Sequence, residues 1–282
     1  MNIIKLDGGL GNQLFQYAFG RQISLLNKEE FKLDLFAYAK KKKRSYLLDY
    51  FNITVEIAND NEVKTQKNFF NLFLDKISFW LPYFKKNIVR EKFNFYDKNL
   101  KKAKDSYFDG YWQSYKYFES IEDVVRKEIT LKNESEKFKN LKFKINTENS
   151  VSLHVRRGDY VSVKQNVYFQ CGADYYQKAL GIIEKKIDNI IIYIFSDDVD
   201  WVKENLKFDY PVVYVSEFGF ADYEEMILMS NCKHNIIVNS TFSWWGGWLN
   251  DNKDKIVVSP KKWYLDLLRE KHDLIFGDWI KI

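Results

Sequence analysis

From Val151 onward the sequence repeats one rhythm: a short run of β-branched and aromatic residues, a polar turn, then a segment long enough for a helix. The runs are VSLHV, IIIYIFS, VVYVS, NIIVN and KIVVSP; the helix-length segments span Asp174–Asp188, Asp198–Leu206, Asp222–Cys232 and the stretch after Ser240. Strands this apolar need cover on both faces, which a parallel sheet flanked by helices provides. The N-terminal half starts alike, with NIIKL, a glycine loop, a helix from Asn12 to Asn27, and FKLDL as a second strand. An α/β chain of 282 residues exceeds the usual single-domain size, so two domains are expected. The polar, weakly periodic NLKFKINTENS, Asn140–Ser150, reads as a linker. That places the domains at 1–147 and 148–282, with a last helix able to pack back on the first domain.

Composition excludes several classes. With 46% apolar and 18% aromatic residues the chain is too hydrophobic to be disordered, and no run of about 18 uncharged apolar residues marks a membrane span. Its 44 basic and 39 acidic residues leave a net charge of +5, which gives no ground for a nucleic-acid partner. Cys171 and Cys232 are too few and too isolated for a disulfide framework or a zinc site. The start, MNIIKLDGG, lacks the layout of a secretory signal, so a cytoplasmic protein is expected. The Asn-x-Ser/Thr triplets at Asn52, Asn133 and Asn239 then stay unmodified. The KKKKR run, Lys40–Arg44, reads as a solvated loop, and the aromatic, lysine-bearing Asn68–Lys86 reads first as core. Together they leave a peripheral contact with the inner face of the cell membrane open.

The glycine loop is DGGLGNQLFQYAFG, Asp7–Gly20. Glycines between a strand and a helix allow positive φ and close approach of a ligand, while the helix start offers N–H groups to an anion. A tight turn is the plainer reading, but Asn12 and Gln13 at the loop mouth favour a phosphate or sugar. A dinucleotide fingerprint would need glycine where Leu14 stands, although Asp34 at the end of the second strand could mimic its ribose-binding acid.

In the second half, polar residues gather at strand C-terminal ends, where open α/β sheets bind ligands. His154, Arg156, Arg157 and Asp159 follow the first strand; Ser196, Asp197 and Asp198 the second; Asn239, Ser240, Thr241 and Ser243 a later one. Paired guanidiniums suit a diphosphate, Ser240 and Thr241 can cap the next helix and donate to the same phosphates, and a strand-end Asp can accept from a guanine edge. Singly, each has a duller account as ion pair or cap, and Asp197 with Asp198 could hold a divalent metal or start a helix. FSWWGGWLN, Phe242–Asn250, reads as core behind the site, its glycines permitting close packing. The combined picture is a nucleoside diphosphate site.

GGLGNQLFQYAFG, GYWQSYKYF, HVRRGDY, IFSDD and CKHNIIVNSTFSWWGGWLN, in order from residue 8 to about 250, resemble the signature blocks of bacterial α-1,2-fucosyltransferases. The resemblance implies a GT-B fold, two Rossmann-like domains facing across a cleft, with the acceptor on the N-terminal side. It implies GDP-fucose as donor substrate, no cofactor, no metal, and inverting transfer to the 2-hydroxyl of a galactose in a glycan or lipid-linked oligosaccharide. Arg156 would then bind the β-phosphate, and His154 with Asp197 or Asp198 would bracket guanine. Arg157, Ser196 and Asn239 would complete the donor site, with Ser240, Thr241 and Ser243 on phosphate or fucose and Gly11 and Asn12 reaching over from the first domain. Asp159 and Asp7 are the candidate bases, Asp159 alternatively orienting the arginines; the base that related α-1,6 enzymes carry ten residues past the histidine is Lys164 here, so that role does not transfer. The role of GYWQSYKYF, Gly110–Phe118, stays open between hinge and acceptor side. A non-catalytic nucleotide-sugar binder and a nucleotide-dependent oxidoreductase are the competing readings.

Overall fold

The structure is a computed structural model that describes residues 1–40, 44–67, 88–91, 95–158, 166–266, 270 and 272–282. It is α/β, with two separate parallel sheets that form the cores of two Rossmann-like units, as a GT-B fold requires.

The first unit is built on β1 (Asn2–Lys5), β2 (Phe31–Asp34), β3 (Glu56–Ile57), β4 (Ile88–Arg90) and β5 (Tyr107–Asp109), in the order β3-β2-β1-β5-β4. Central β1 runs parallel to both neighbours, Ile4 opposite Leu33 and Phe108. Ile3 and Ile4 are fully buried, as a two-faced strand demands. Helix Leu10–Asn27 returns the chain to β2 and buries Leu14, Phe15, Ala18, Phe19 and Ile23, the spacing of an apolar helix face. It ends where Lys28 takes a left-handed conformation, φ +53°, and donates its N–H to the Ser24 carbonyl. A Cβ on Gly20 would lie 2.6 Å from the Phe31 ring, so this helix reaches the sheet closely only with glycine there.

The second unit carries β6 (Asn149–Val155), β7 (Ile190–Ser196), β8 (Val212–Tyr214), β9 (His234–Ile236), β10 (Val257–Ser259) and β11 (Ile280–Lys281), in the order β11-β10-β9-β6-β7-β8. Counted within the unit this is 6-5-4-1-2-3, the dinucleotide-fold order, with the strand sequence reversing between β6 and β9. Val151, Leu153 and Val155 share one face of β6 and pack with Ile192, Ile194, Tyr176, Leu180 and Val202. Ser150, Ser152 and His154 take the opposite face by strand alternation, also buried.

The helices expected in this half lie at Ala173–Ile183, Val199–Asn205, Asp222–Asn231 and Thr241–Leu249. The expected boundary moves. Chain contacts group Met1–Ile129 with His272–Leu274, and Thr130–Lys271 with Ile275–Ile282. The segment read as a linker is the end of helix Glu136–Thr147, which buries Phe138, Leu141 and Ile145 and is capped by Ser135. Its apolar stripe is only three residues wide among lysines, which hid the period. Among the described residues no helix follows Leu249; the piece that joins the first unit is the short stretch His272–Leu274. No helix of the described residues is long and apolar enough to cross a membrane. The Asn68–Lys86 stretch and most of the Lys40–Arg44 run lie outside the described residues.

Candidate functional site

In the second unit, β6 and β9 flank the reversal point and β7 adjoins β6, so the ends of all three strands fall along one sheet edge. His154 stands one residue before the end of β6. It is 5% exposed, its ring centroid is 5.5 Å from that of Phe242, and its Nδ1 is buried with no hydrogen-bond partner among the described residues. Burial, reinforced by the Arg156 charge, pushes its pKa down to about 3, so the imidazole is neutral. A neutral ring with an orphaned nitrogen favours a ligand that supplies the missing bond.

The two arginines divide their work. Arg156 Nη1 lies 3.0 Å from Asp197 Oδ2. Arg157 is held on three sides: its backbone N–H donates to Asp197 Oδ1 at 2.8 Å, its Nε to Asp198 Oδ2 at 3.1 Å, and its guanidinium carbon is 3.9 Å from the Trp201 ring centroid. Asp198 Oδ1 caps helix Val199–Asn205 through the Trp201 N–H at 3.2 Å. All four carboxylate oxygens of Asp197 and Asp198 are therefore engaged. Among the described residues no group of three or more His, Cys, Asp or Glu is gathered as a metal site would need. Gly158 belongs to this packing, because a Cβ there would lie 2.6 Å from Asp197 Oδ2. Asp159 lies outside the described residues.

From the end of β7 a polar chain leads away from the arginines. Ser196 Oγ accepts from the Asp198 N–H at 3.0 Å, while the Ser196 N–H donates to Ser216 Oγ at 3.0 Å, which donates to Glu225 Oε2 at 3.1 Å. Burial raises the Glu225 pKa to about 7; the Ser216 hydroxyl offsets this in part and Asp222 adds to it. Sequence reasoning missed Glu225. The available signal was an acid three and four residues before Leu228 and Met229, on the buried stripe of its helix.

The loop after β9 is more self-contained than expected. Ser240 holds the N-cap position of helix Thr241–Leu249, yet its side chain makes no capping bond. Ser243 is fully buried and closes the turn: its hydroxyl accepts from the Val238 N–H at 3.3 Å and donates to the Ser240 carbonyl at 3.3 Å. Asn239 pins two neighbouring segments, donating to the carbonyls of Phe169 at 2.7 Å and Trp263 at 2.8 Å. Thr241 opens the helix in a half-buried setting. Behind it Trp244, Trp245 and Trp248 are core, and Gly246 lets the helix close on Met229, whose Sδ a Cβ would approach to 2.4 Å.

The first unit carries its own polar cluster at the ends of neighbouring β1 and β5. Gly8 has φ +96°, a conformation that favours glycine. Asn12 Oδ1 accepts from Gln113 Nε2 at 2.8 Å, which brings GYWQSYKYF beside the glycine loop. Gly11 lies buried in the first turn of the helix. Gln13 is not a ligand group at the mouth: it is fully buried, donating to the Ser45 carbonyl at 2.8 Å and accepting from the Leu47 N–H at 3.0 Å. Nor can Asp34 serve a ribose. Its carboxylate is taken by Tyr107 at 2.7 Å, Lys67 at 2.9 Å and the Phe36 N–H at 2.9 Å. Asp7 is half-buried just past β1, its N–H donating to Gln16 Oε1 at 3.1 Å.

Comparison with known proteins places this arrangement. The model of glycosyl transferase family 11 matches residues 1–282. The O-antigen biosynthesis glycosyltransferase WbnK of Escherichia coli is 34% identical over 98% of this chain and 99% of its own. An alpha-1,2-colitosyltransferase of the same species is 32% identical over 99% and 98%. Galactoside alpha-(1,2)-fucosyltransferase 2 of Rattus norvegicus is 24% identical over 88% of this chain and 67% of its own. With the match running from the first residue to the last, the chain belongs to glycosyl transferase family 11.

Proposed function

We propose that this glycosyltransferase moves L-fucose from GDP-fucose to the 2-hydroxyl of a galactose in a glycan or lipid-linked oligosaccharide, with inversion and without a metal or other cofactor. The observation that carries the reading is Arg156 at the sheet reversal, beside a neutral, buried His154 with an unpartnered nitrogen. Arg156 would meet the β-phosphate, with Ser240, Thr241 and the start of their helix completing the anion cradle. Arg157, Ser196, Asn239 and Ser243 would shape the donor site rather than touch phosphate, because each is committed to neighbouring groups. Glu225 takes the guanine-edge role first assigned to Asp197 or Asp198, whose oxygens serve the arginines and the helix cap. A buried carboxyl that titrates near neutrality gains its charge readily when ligand N–H groups face it.

In the transfer the galactose 2-oxygen attacks fucose C1 from the face opposite GDP, the C1–O bond breaks, and its electron pair leaves on the β-phosphate. A positioned guanidinium opposite that developing charge supplies on the order of 3 kcal/mol. The attacking hydroxyl gives up its proton late, to Asp159 or Asp7, or to water if the transition state is strongly dissociative.

Colitose, which lacks the fucose 3-hydroxyl, is the second donor-sugar reading, favoured by the 32% identical colitosyltransferase. The test is GDP release from GDP-fucose and from GDP-colitose, with and without lactose, in chelator, followed by linkage analysis. Acceptor-stimulated release from GDP-fucose with an α-1,2 product supports the proposal. Turnover of GDP-colitose alone moves it to the second reading. Donor binding without transfer would make the chain a non-catalytic nucleotide-sugar binder, and nicotinamide-cofactor binding would revive the oxidoreductase reading.

A further inference from the structure

Two exposed aromatic residues stand at one edge of the first sheet, each held through its backbone by a carboxylate. Strands β2, β1 and β5 run parallel side by side, so the turns that follow them share that edge. Phe36 opens helix Phe36–Lys40 just past β2 and is 51% exposed. Its N–H donates to Asp34 Oδ1 at 2.9 Å, and the other oxygen of that carboxylate is fixed by Tyr107 and Lys67. Tyr111, just past β5, is 42% exposed. Its N–H donates to Glu91 Oε2 at 2.6 Å, and Glu91 Oε1 accepts the next N–H, that of Trp112, at 2.9 Å. Tyr38, on the same short helix as Phe36, ties the two turns together. Its hydroxyl donates to the Gly8 carbonyl at 2.9 Å, and its pKa is raised by burial, then by the charge of Asp7 and, more weakly, of Tyr111.

Single exposed rings are ordinary; rings that the fold holds in place are not. The turn beside Tyr111 is fixed at each residue. A Cβ on Gly110 would lie 2.5 Å from Glu91 Cβ, and Trp112 adopts φ +55°, which a bulky residue keeps only when its surroundings impose it. The Trp112 ring is fully buried and stacked on Phe19, centroids 4.4 Å apart, so the strained turn sends one aromatic side chain inward and leaves its neighbour at the surface. A surface ring restrained in this way loses little freedom when a ligand covers it. A sugar ring offers a matching surface, hydroxyls around its equator and C–H bonds on its faces. In galactose the axial 4-hydroxyl leaves the hydrogens of C3, C4 and C5 together on one face. We infer that Tyr111 and Phe36 form a galactose seat on the first unit, their rings taking the C–H face of the acceptor sugar. The inference rests on the reading that the acceptor is a galactoside, and it gives GYWQSYKYF a role on the acceptor side.

The test measures lactose binding to the native enzyme by saturation-transfer NMR with no donor present, alongside Tyr111→Ala, Phe36→Ala, Tyr111→Phe and Phe36→Tyr. KM for GDP-fucose and Tm are read for each variant. Each alanine variant should weaken lactose binding by about fivefold to tenfold, the scale of one aromatic contact. The ring-keeping variants should stay within about twofold of native, as should KM for GDP-fucose throughout, because the lost contact is to the acceptor alone. Tm should be kept, since both side chains lie at the surface. Methyl β-glucoside, whose 4-hydroxyl is equatorial, should bind less well than methyl β-galactoside, and the preference should shrink in the alanine variants. Native lactose affinity in both alanine variants overturns the seat and leaves the galactoside reading standing. No lactose binding by the native enzyme overturns both. Weakening in step with a fall in Tm, or equal weakening in the ring-keeping variants, would likewise remove the seat.

Discussion

The guanidinium carbon of Arg157 lies 3.9 Å from the Trp201 ring centroid, so the second of two adjacent arginines is stacked on an indole, while Arg156 Nη1 lies 3.0 Å from Asp197 Oδ2. Arg156→Ala should therefore lower kcat by about 100-fold or more, the scale of losing one transition-state donor, with little change in Tm. Arg157→Lys keeps the charge but loses the planar stack and the Nε contact. It should lower Tm and reduce kcat by roughly tenfold or less, through the misplaced β6 end. Steady-state kinetics with melting curves for both variants decide the division; equal kinetic losses with unchanged Tm in each would mean that both arginines face phosphate.

Gly158→Ala asks whether the Arg156–Asp197 geometry matters by itself. The added methyl would meet Asp197 Oδ2 at 2.6 Å, and the carboxylate, at the end of a short side chain, can yield only by turning off Arg156 Nη1. If Arg156 is the cation that meets the β-phosphate, as proposed, misplacing it without removing it should cost about tenfold in kcat, given how steeply rate falls with misorientation. Native kinetics in this variant would show that Asp197 does not steer Arg156.

How far the sequence disclosed this site follows from what each signal depends on. Strands buried on both faces announce themselves locally, which is why β6, β7, β9 and β10 and the helices between them lie where the apolar runs place them. Two- and three-residue strands such as β3 and β4 carry too few side chains for a period, and β11 is an isolated edge pair, so none of the three was legible. Polar identity at a strand end was legible, but partners were not. Whether Arg157 meets phosphate or Trp201, and whether Gln13 faces a ligand or the Leu47 backbone, is decided by residues distant in the chain. Glu225 was hidden for the same reason, because its significance lies in Ser216 and Ser196, on other elements.

His154 predicts an acid-side loss of stability. Its folded pKa is near 3 against an unfolded value near 6.5, so below pH 6.5 the unfolded chain takes up a proton that the folded chain refuses. The contribution is whole above pH 6.5 and is lost progressively as pH falls toward 3, by up to about 5 kcal/mol. His154→Gln removes that titration. Urea midpoints at pH 7.5 and pH 4.5 should show the native protein falling further than the variant; parallel falls would mean that His154 is protonated in the fold.

Glu225 runs with the opposite sign. Its folded pKa is raised from 4.5 to about 7, so between those values the folded chain holds a proton that the unfolded chain has released. Stability from this group is complete below pH 4.5 and is lost as pH rises through 7, by up to about 3 kcal/mol. Glu225→Gln, neutral throughout, should melt close to the native protein at pH 4.5 and progressively above it toward pH 8. The same ionisation is what the guanine edge would require, so donor affinity of the native enzyme should increase with pH through 7, while that of the variant stays low and flat. A variant that gains stability at pH 8 yet binds GDP-fucose like the native enzyme would keep the buried carboxyl and remove guanine from it.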